Sequence, residues 1–285
     1  MQAPALSSFA PSAHRIQREG IGYASALTID QLRKAVPSAF AAEPHGSRSE
    51  RYVYIPTSAI IEGMRKEGFL PVNAVQSIAR DASKACHTKH MIRFRREDQL
   101  AAPEAREVGL VNSHDGSSAF HLHAGVFRRI CSNGLIVGNE EISAKVRHSG
   151  DATSDVIDCA FRIVEQFDVV SAEIEEMKAT EIQPDLATAF ALAALDARFD
   201  KPEKPITVDQ VLRPRRSEDH GSDMWRLMNR VQENCIKGGI TGLSRDAQGR
   251  AKQRTTRAVK GIDQNTALNR ALWRLAVETA KIAKK

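Results

Sequence analysis

The chain has 285 residues, of which 42% are hydrophobic and 5% aromatic, and a net charge of +6. That length allows one large domain or two small ones around a real core, and the composition excludes a disordered chain. No stretch approaches the roughly 20 apolar residues of a membrane helix. The longest apolar run, Ala187 to Leu195, is short and central, so neither a membrane span nor an export signal is expected, and the cytoplasm is the expected location.

In chain order, residues 1–50 begin small, polar and proline-bearing and read as a loosely ordered N-terminal arm. Arg51 to Pro56, "RYVYIP", has the β-branched and aromatic content of a strand. "TSAIIEGMRKEGF" then sets Ile60, Ile61 and Met64 at helical spacing, with Gly68 as the stop. Further strands are predicted over Val72 to Ala79, Lys89 to Arg96, Val108 to Asn112 and Ala119 to Arg128, and "SHDGS" at Ser113 to Ser117 is a hairpin turn. The strand-rich core thus spans 51–150.

The period then changes. "SDVIDCAFRIVEQFDVVSAEIEEM" places Val156, Ile157, Ala160, Ile163, Val164 and Phe167 on one face of a long helix, and "PDLATAFALAALDARF" supplies a second, so 151–200 is helical. Residues 201–221 form a proline-bearing linker with a short helix inside. The segment 222–285 is a basic helical region. Its first helix, Ser222 to Cys235, buries Met224, Leu227, Met228, Val231 and Cys235 and stops at Gly238-Gly239. Its second, Gln264 to Lys281, buries Leu268, Ala271, Leu272, Leu275 and Ile282. The expected class is α+β: a strand-rich antiparallel centre followed by amphipathic helices.

Charge is segregated. Arg245 to Lys285 holds eleven Lys and Arg against three Asp and Glu, a balance of +8, whereas Ser154 to Asp185 holds two against nine, a balance of −7. A basic segment of this kind calls for a polyanion partner. Arg250, Lys252, Arg254, Arg257 and Lys260 crowd a Gly/Gln/Thr-rich stretch that reads as a loop, and Arg270 and Arg274 follow one turn apart around Trp273. In "KHMIRFRRED", alternation puts Lys89, Arg93 and Arg95 on one face, a candidate platform for a phosphate backbone, with Arg128 and Arg129 on a later strand.

The four cysteines, Cys86, Cys131, Cys159 and Cys235, form no C-x-x-C pair and read as thiols in a reducing compartment. Cys131 stands beside the Asn133-Gly134 turn, where a small hydrophobe suits a strand pair entering the core better than a nucleophile does. His114, Asp115, His121 and His123 are a candidate metal set, but no H-E-x-x-H or comparably specific spacing supports it. There is no P-loop, G-x-G-x-x-G or G-x-S-x-G motif, and no cofactor is expected.

"RICSNGLIVG", "VRHSG", "MWRLMNRVQENCIKGG" and "DQNTALNRALWRLA" together resemble the phage/plasmid-like protein family filed as domain of unknown function 932, over about Arg51 to Ala280. The resemblance implies carriage on plasmids, prophages and integrated elements and brings no catalytic residue set with it. The expectation is a nucleic-acid-binding protein of such an element, engaging single-stranded DNA in replication, recombination or transfer, working as a homo-oligomer and needing no chemistry. Lys89, Arg93, Arg95, Arg128 and Arg129 would line a groove, and the 250–260 cations would close over the backbone. The alternatives are a metal-dependent nuclease built on the His/Asp set, or a protein-binding inhibitor of a host defence system acting through the acidic helix.

Overall fold

The computed structural model describes residues 25–47, 53–79, 81–128, 134–137, 143–147, 151–199, 204–245 and 249–285. Strands dominate the centre and helices follow, as the change of hydrophobic period predicts. Five strands, β1 (Phe69–Gln76), β2 (His90–Arg96), β3 (Glu104–Asn112), β4 (Phe120–Arg128) and β5 (Gly134–Ile136), are hydrogen-bonded in that order, and β6 (Ser143–Val146) also pairs with β4. The chain divides into two compact units. The first takes Met1–Ala102, Gly109–Leu122 and Lys145–Cys159; the second takes Pro103–Val108, His123–Ala144 and Ala160–Lys285.

In the first unit β1 pairs antiparallel with β2, and the register shifts between Pro71 and Asn73. A proline cannot donate to a ladder, so it belongs at an edge or a bulge. The Pro71 carbonyl instead accepts from Leu27 N at 2.6 Å. That bond anchors a segment expected to be loose. Residues 25–47 carry helix α1 (Ile29–Ala35), whose capping box joins Thr28 and Gln31 reciprocally at 3.2 and 2.9 Å. Leu27, Leu32, Val36 and Ala39 are buried, and burial of four apolar side chains outweighs the polar composition that suggested an arm.

The expected strand over Arg51 to Pro56 does not form at residues 53–56; Arg51 and Tyr52 lie outside the described residues. The Tyr54 hydroxyl donates to the Ala41 carbonyl, and Pro56 is the N-cap of α2 (Thr57–Lys66). Helix α2 buries Ile60, Ile61 and Met64, as their spacing predicts. Gly63 lies so close to α3 (Ala152–Glu165) that a Cβ there would stand 2.9 Å from Ile157 Cδ1.

Thr57 ties this unit together. Its Oγ1 lies 3.0 Å from His90 Nε2, 3.0 Å from His114 Nε2 and 2.9 Å from Asn112 Nδ2. The proton positions follow from one acceptor. His90 Nδ1 faces Ser38 Oγ at 2.9 Å and the Thr88 carbonyl at 3.2 Å. A carbonyl can only accept, so Nδ1 carries the hydrogen and Nε2 accepts from the Thr57 hydroxyl. Having given its one proton, Thr57 Oγ1 receives N–H groups from Asn112 and His114. Burial pushes the His90 imidazole down to about 4.

The second unit is mainly helical: α4 (Phe167–Ala179), α5 (Pro184–Arg198), α6 (Val208–Leu212), α7 (Met224–Lys237) and α8 (Ile262–Ala283). The single long helix expected over 154–177 is two, α3 and α4. Gln166 N bonds back to the Ile163 carbonyl three residues away, which tightens the chain at the junction. The buried row Ile163, Phe167, Val170, Ile174 continues across the break, so hydrophobic spacing alone cannot show it. Helix α7 is buried nearly all round. Its polar residues are matched by partners: Gln232 Nε2 donates to Asn269 Oδ1 at 2.9 Å, and Asn234 Nδ2 to the Val211 and Arg213 carbonyls at 2.7 and 2.9 Å. Ile282, expected in the core, is 57% exposed at the end of α8.

Candidate nucleic-acid interface

The basic stretch expected as a loop folds into a two-stranded antiparallel ribbon, β7 (Thr241–Arg245) and β8 (Ala251–Thr255), separate from the main sheet. The ribbon grows from the C-terminus of α7. Gly238 and Gly239 have φ of 63° and 77°, and a Cβ on Gly238 would meet the Arg257 carbonyl carbon at 2.5 Å. Only glycine allows both the left-handed backbone and that approach. Gly239 N donates to Thr256 O at 2.8 Å, Thr256 N to Ile240 O at 2.9 Å, and Val259 N to Ile236 O at 2.8 Å.

Two arginines hold this root. Arg198 donates from Nε to the Cys235 carbonyl and from Nη2 to the Arg257 carbonyl, both at 2.9 Å. Arg215 donates to Asn234 Oδ1 and to the Gly238 carbonyl, both at 2.6 Å. Cations on the last carbonyls of α7 also oppose the negative end of its dipole. Gln210 Nε2 reaches the Thr241 carbonyl at 2.8 Å. The ribbon is therefore carried on a firm base.

Every residue of β8 is exposed. From Gly249 to Gly261 the chain carries Arg250, Lys252, Arg254, Arg257 and Lys260 and no acid. All five are exposed. Arg274 on α8 is exposed as well. Arg270 is half-buried and its Nη2 lies 3.0 Å from His123 Nδ1. A guanidinium has no acceptor, so His123 receives this bond through Nδ1 as neutral imidazole.

The sheet cations do not form the open platform expected of them. Arg93 and Arg95 are buried, because β2 is an internal strand covered on both faces, and Arg95 Nη1 reaches the Leu100 carbonyl at 3.4 Å. Lys89 is half-buried just before β2. Arg128 is buried at the end of β4, where its Nη1 donates to Asp219 Oδ1 at 2.9 Å, its Nε lies 3.6 Å from Glu104 Oε1, and its guanidinium sits over the Trp225 ring at 5.6 Å. Arg129 and Cys131 lie outside the described residues. The strands flanking Cys131 do pair antiparallel, with Phe127 opposite Gly134.

The His/Asp set is not gathered either. His114 is fully buried against Thr57, Asp115 Oδ1 accepts from Ser117 N at 2.9 Å, and His123 belongs to Arg270. His121 is half-buried on β4. Among the described residues, no three His, Cys, Asp or Glu side chains are grouped so as to hold a metal ion. The acidic helix is partly committed to its own unit: Glu173 accepts from Trp273 Nε1 at 3.1 Å, and Glu175 and Glu176 pair with Lys178 and Lys284 at 3.0 and 2.7 Å.

Sequence reasoning missed the ribbon and the buried polar contacts. The alternating "AKQRT", with cations two apart and glycines on both sides, was the available signal for the ribbon. "NRALW" is explained as framework: Asn269 meets Gln232, Arg270 meets His123, and Trp273 meets Glu173 and stacks edge-on with Trp225 at 6.4 Å.

The family model described as "Domain of unknown function (DUF932)" matches residues 44–273. The chain is 43% identical over 250 residues to UPF0380 protein YafZ and, equally, to UPF0380 protein YfjQ, both of Escherichia coli (strain K12). Each alignment covers 88% of this chain and 90% of the relative. No solved structure matches the chain significantly. On the extent of both kinds of match, the chain belongs to the DUF932 family.

Proposed function

We propose that the chain binds nucleic acid through the β7–β8 ribbon and the segment that returns from it, with single-stranded DNA as the expected ligand and a homo-oligomer as the working form. One observation carries the reading: five exposed cations and no acid over 249–261, on a two-stranded ribbon and the segment that follows it, held at the root by Arg198, Arg215 and the close approach of Gly238 to Arg257. Such a surface repels itself until a polyanion neutralises it. The ribbon carries no aromatic side chain, so stacking contributes nothing there and binding rests on phosphate contacts. A setting in replication, recombination or transfer of a plasmid or phage follows from the family resemblance.

Anisotropy of a labelled, mixed-sequence single strand across a salt series tests the reading. Five engaged cations give a log–log slope on the order of −3 to −4, at about −0.7 per phosphate contact on single strands. The matched duplex, run as competitor, decides strand preference. Binding indifferent to salt, or none at low salt, sinks the proposal.

A further inference from the structure

Several cations of the second unit are matched to acids: Lys178 to Glu175 at 3.0 Å, Lys204 to Asp196 at 2.8 Å, and Lys281 to Glu278 at 2.9 Å. The root of the ribbon departs from this. Arg198, at the end of α5, gives its Nε and Nη2 hydrogens to the Cys235 and Arg257 carbonyls, and Arg215, after α6, gives its own to Asn234 Oδ1 and the Gly238 carbonyl. All four acceptors are neutral, and among the described residues neither arginine is in an ion pair. Nε and Nη2 lie on one edge of a guanidinium, so the Nη1–Nη2 edge of each keeps hydrogens for another acceptor. Arg215 is exposed and Arg198 half-buried.

The two guanidiniums end at one contact. Arg198 holds the Arg257 carbonyl and Arg215 the Gly238 carbonyl, and a Cβ on Gly238 would stand 2.5 Å from the Arg257 carbonyl carbon. Both are held from behind as well. The Arg198 guanidinium sits over the Phe199 ring at 4.9 Å. Asn234, which receives Arg215, is 2% exposed and also ties down the Arg213 carbonyl through Nδ2 at 2.9 Å. The Arg213 side chain is exposed and, among the described residues, in no ion pair.

We propose that Arg198 and Arg215, flanked by Arg213, are a preorganised phosphate clamp at the root of the ribbon. This rests on the nucleic-acid reading, under which the clamped group is one phosphodiester of the strand that the ribbon holds. The carbonyls that end α7 favour cations, but a helix terminus carries only roughly half an elementary charge and does not balance two guanidiniums. An anion does. The open edge of a guanidinium matches two oxygens of a phosphate, and a side chain already fixed by two bonds loses little freedom when it binds one. The exposed cations of the ribbon attract the strand, and the clamp sets its position.

The test uses the full chain, a labelled single strand and inorganic phosphate. Wild type is expected to broaden the phosphorus resonance of inorganic phosphate and to bind the strand. Arg213→Gln should shrink the salt slope by about 0.7, one phosphate contact, with the melting temperature unchanged. Arg215→Lys keeps the charge and loses the fork, so the slope should stay while affinity falls about tenfold, as for one lost charged hydrogen bond, and the broadening weakens. Because Arg215 also supports the ribbon, tryptic cleavage at Arg254 is followed in parallel, and a wild-type rate assigns the lost affinity to the clamp. The clamp is overturned if both variants bind strand and phosphate as wild type does, in which case the nucleic-acid reading stands without it. It is also overturned if Arg215→Lys loses affinity only together with faster cleavage while Arg213→Gln is unchanged, which would make these arginines supports alone. A labelled oligoglutamate that binds wild type as tightly as the strand at the same salt overturns the choice of phosphate. Wild type that broadens phosphate through Arg215 yet binds no strand keeps the clamp and removes the nucleic-acid reading.

Discussion

Arg128 and Asp219 are a buried ion pair in the second unit: Nη1 donates to Oδ1 at 2.9 Å, with the two side chains 8% and 1% exposed. The other carboxylate oxygen, Oδ2, is buried and has no hydrogen-bond partner among the described residues. Asp219 therefore depends heavily on one guanidinium. Replacing Arg128 by Ala strands the carboxylate, and breaking a buried pair in this way costs about 3–5 kcal/mol. Replacing both, as Arg128→Met with Asp219→Leu, is expected to recover most of that loss, because neither charge is then left buried. Urea unfolding of the single and double variants measures both. A stable Arg128→Ala protein that no longer binds DNA would return Arg128 to the ligand surface where its position on a strand first suggested it.

Gly242 tests whether the ribbon's seat matters. A Cβ placed 2.1 Å from the Pro205 carbonyl oxygen cannot be accommodated by rotating a side chain, since the obstacle is backbone. Gly242→Ala is expected to tilt the ribbon, weaken DNA binding by about tenfold or more, and speed tryptic cleavage at Arg250 and Arg254. The far-ultraviolet spectrum should stay unchanged, because the helices do not rest on this contact. Unchanged affinity together with unchanged cleavage would show that the seat is dispensable.

The gross order of the fold was legible because it is written in hydrophobic period. Ile60, Ile61 and Met64 mark α2, and the α7 row Leu227, Met228, Val231 is buried where spacing puts it. Arg93 and Arg95 were misleading because alternation tells which residues share a face, not whether that face is open, and an internal strand covers both. The Thr57 cluster was invisible for another reason. It joins Ser38, Thr57, His90, Asn112 and His114 from far-apart segments, and no local pattern marks a residue whose partner is fifty positions away. The ribbon lay between these cases: its alternation was present, but charge density made it read as a loop.

That same cluster predicts how stability depends on pH. His90 titrates near 4 in the folded chain against an ordinary value of 6.5, because burial penalises its charged form. A histidine with a depressed folded pKa contributes stability that is full above about 6.5 and is lost as pH falls from there toward 4. A shift of this size corresponds to roughly 3 kcal/mol across the window. His90→Gln should be less stable than wild type at pH 7.5, and the gap between them should narrow steadily down to pH 5. Parallel urea curves for the two proteins at each pH isolate this one group from the other histidines. A constant gap would mean that His90 does not titrate as its burial requires.

The ribbon's charge is separable from its structure. Arg254, Arg257 and Lys260 are exposed on β8 and the irregular segment that returns to α8. What holds this stretch is main chain: the Arg257 carbonyl receives Arg198, and Val259 N reaches the Ile236 carbonyl. Changing the three side chains to Gln leaves those bonds in place, so the melting temperature should barely move, as is usual for surface substitutions. Affinity for a single strand should fall steeply at low salt. The salt slope should shrink by about two, at about 0.7 for each of three lost contacts. The slope is the sharper readout, because a variant that had merely misfolded would lose affinity by lowering the active fraction and would leave the slope of the remaining protein intact. If affinity and slope both stay at wild-type values, the cations of this stretch are solvated surface, and Arg250, Lys252 and Arg274 become the residues to test for any polyanion site.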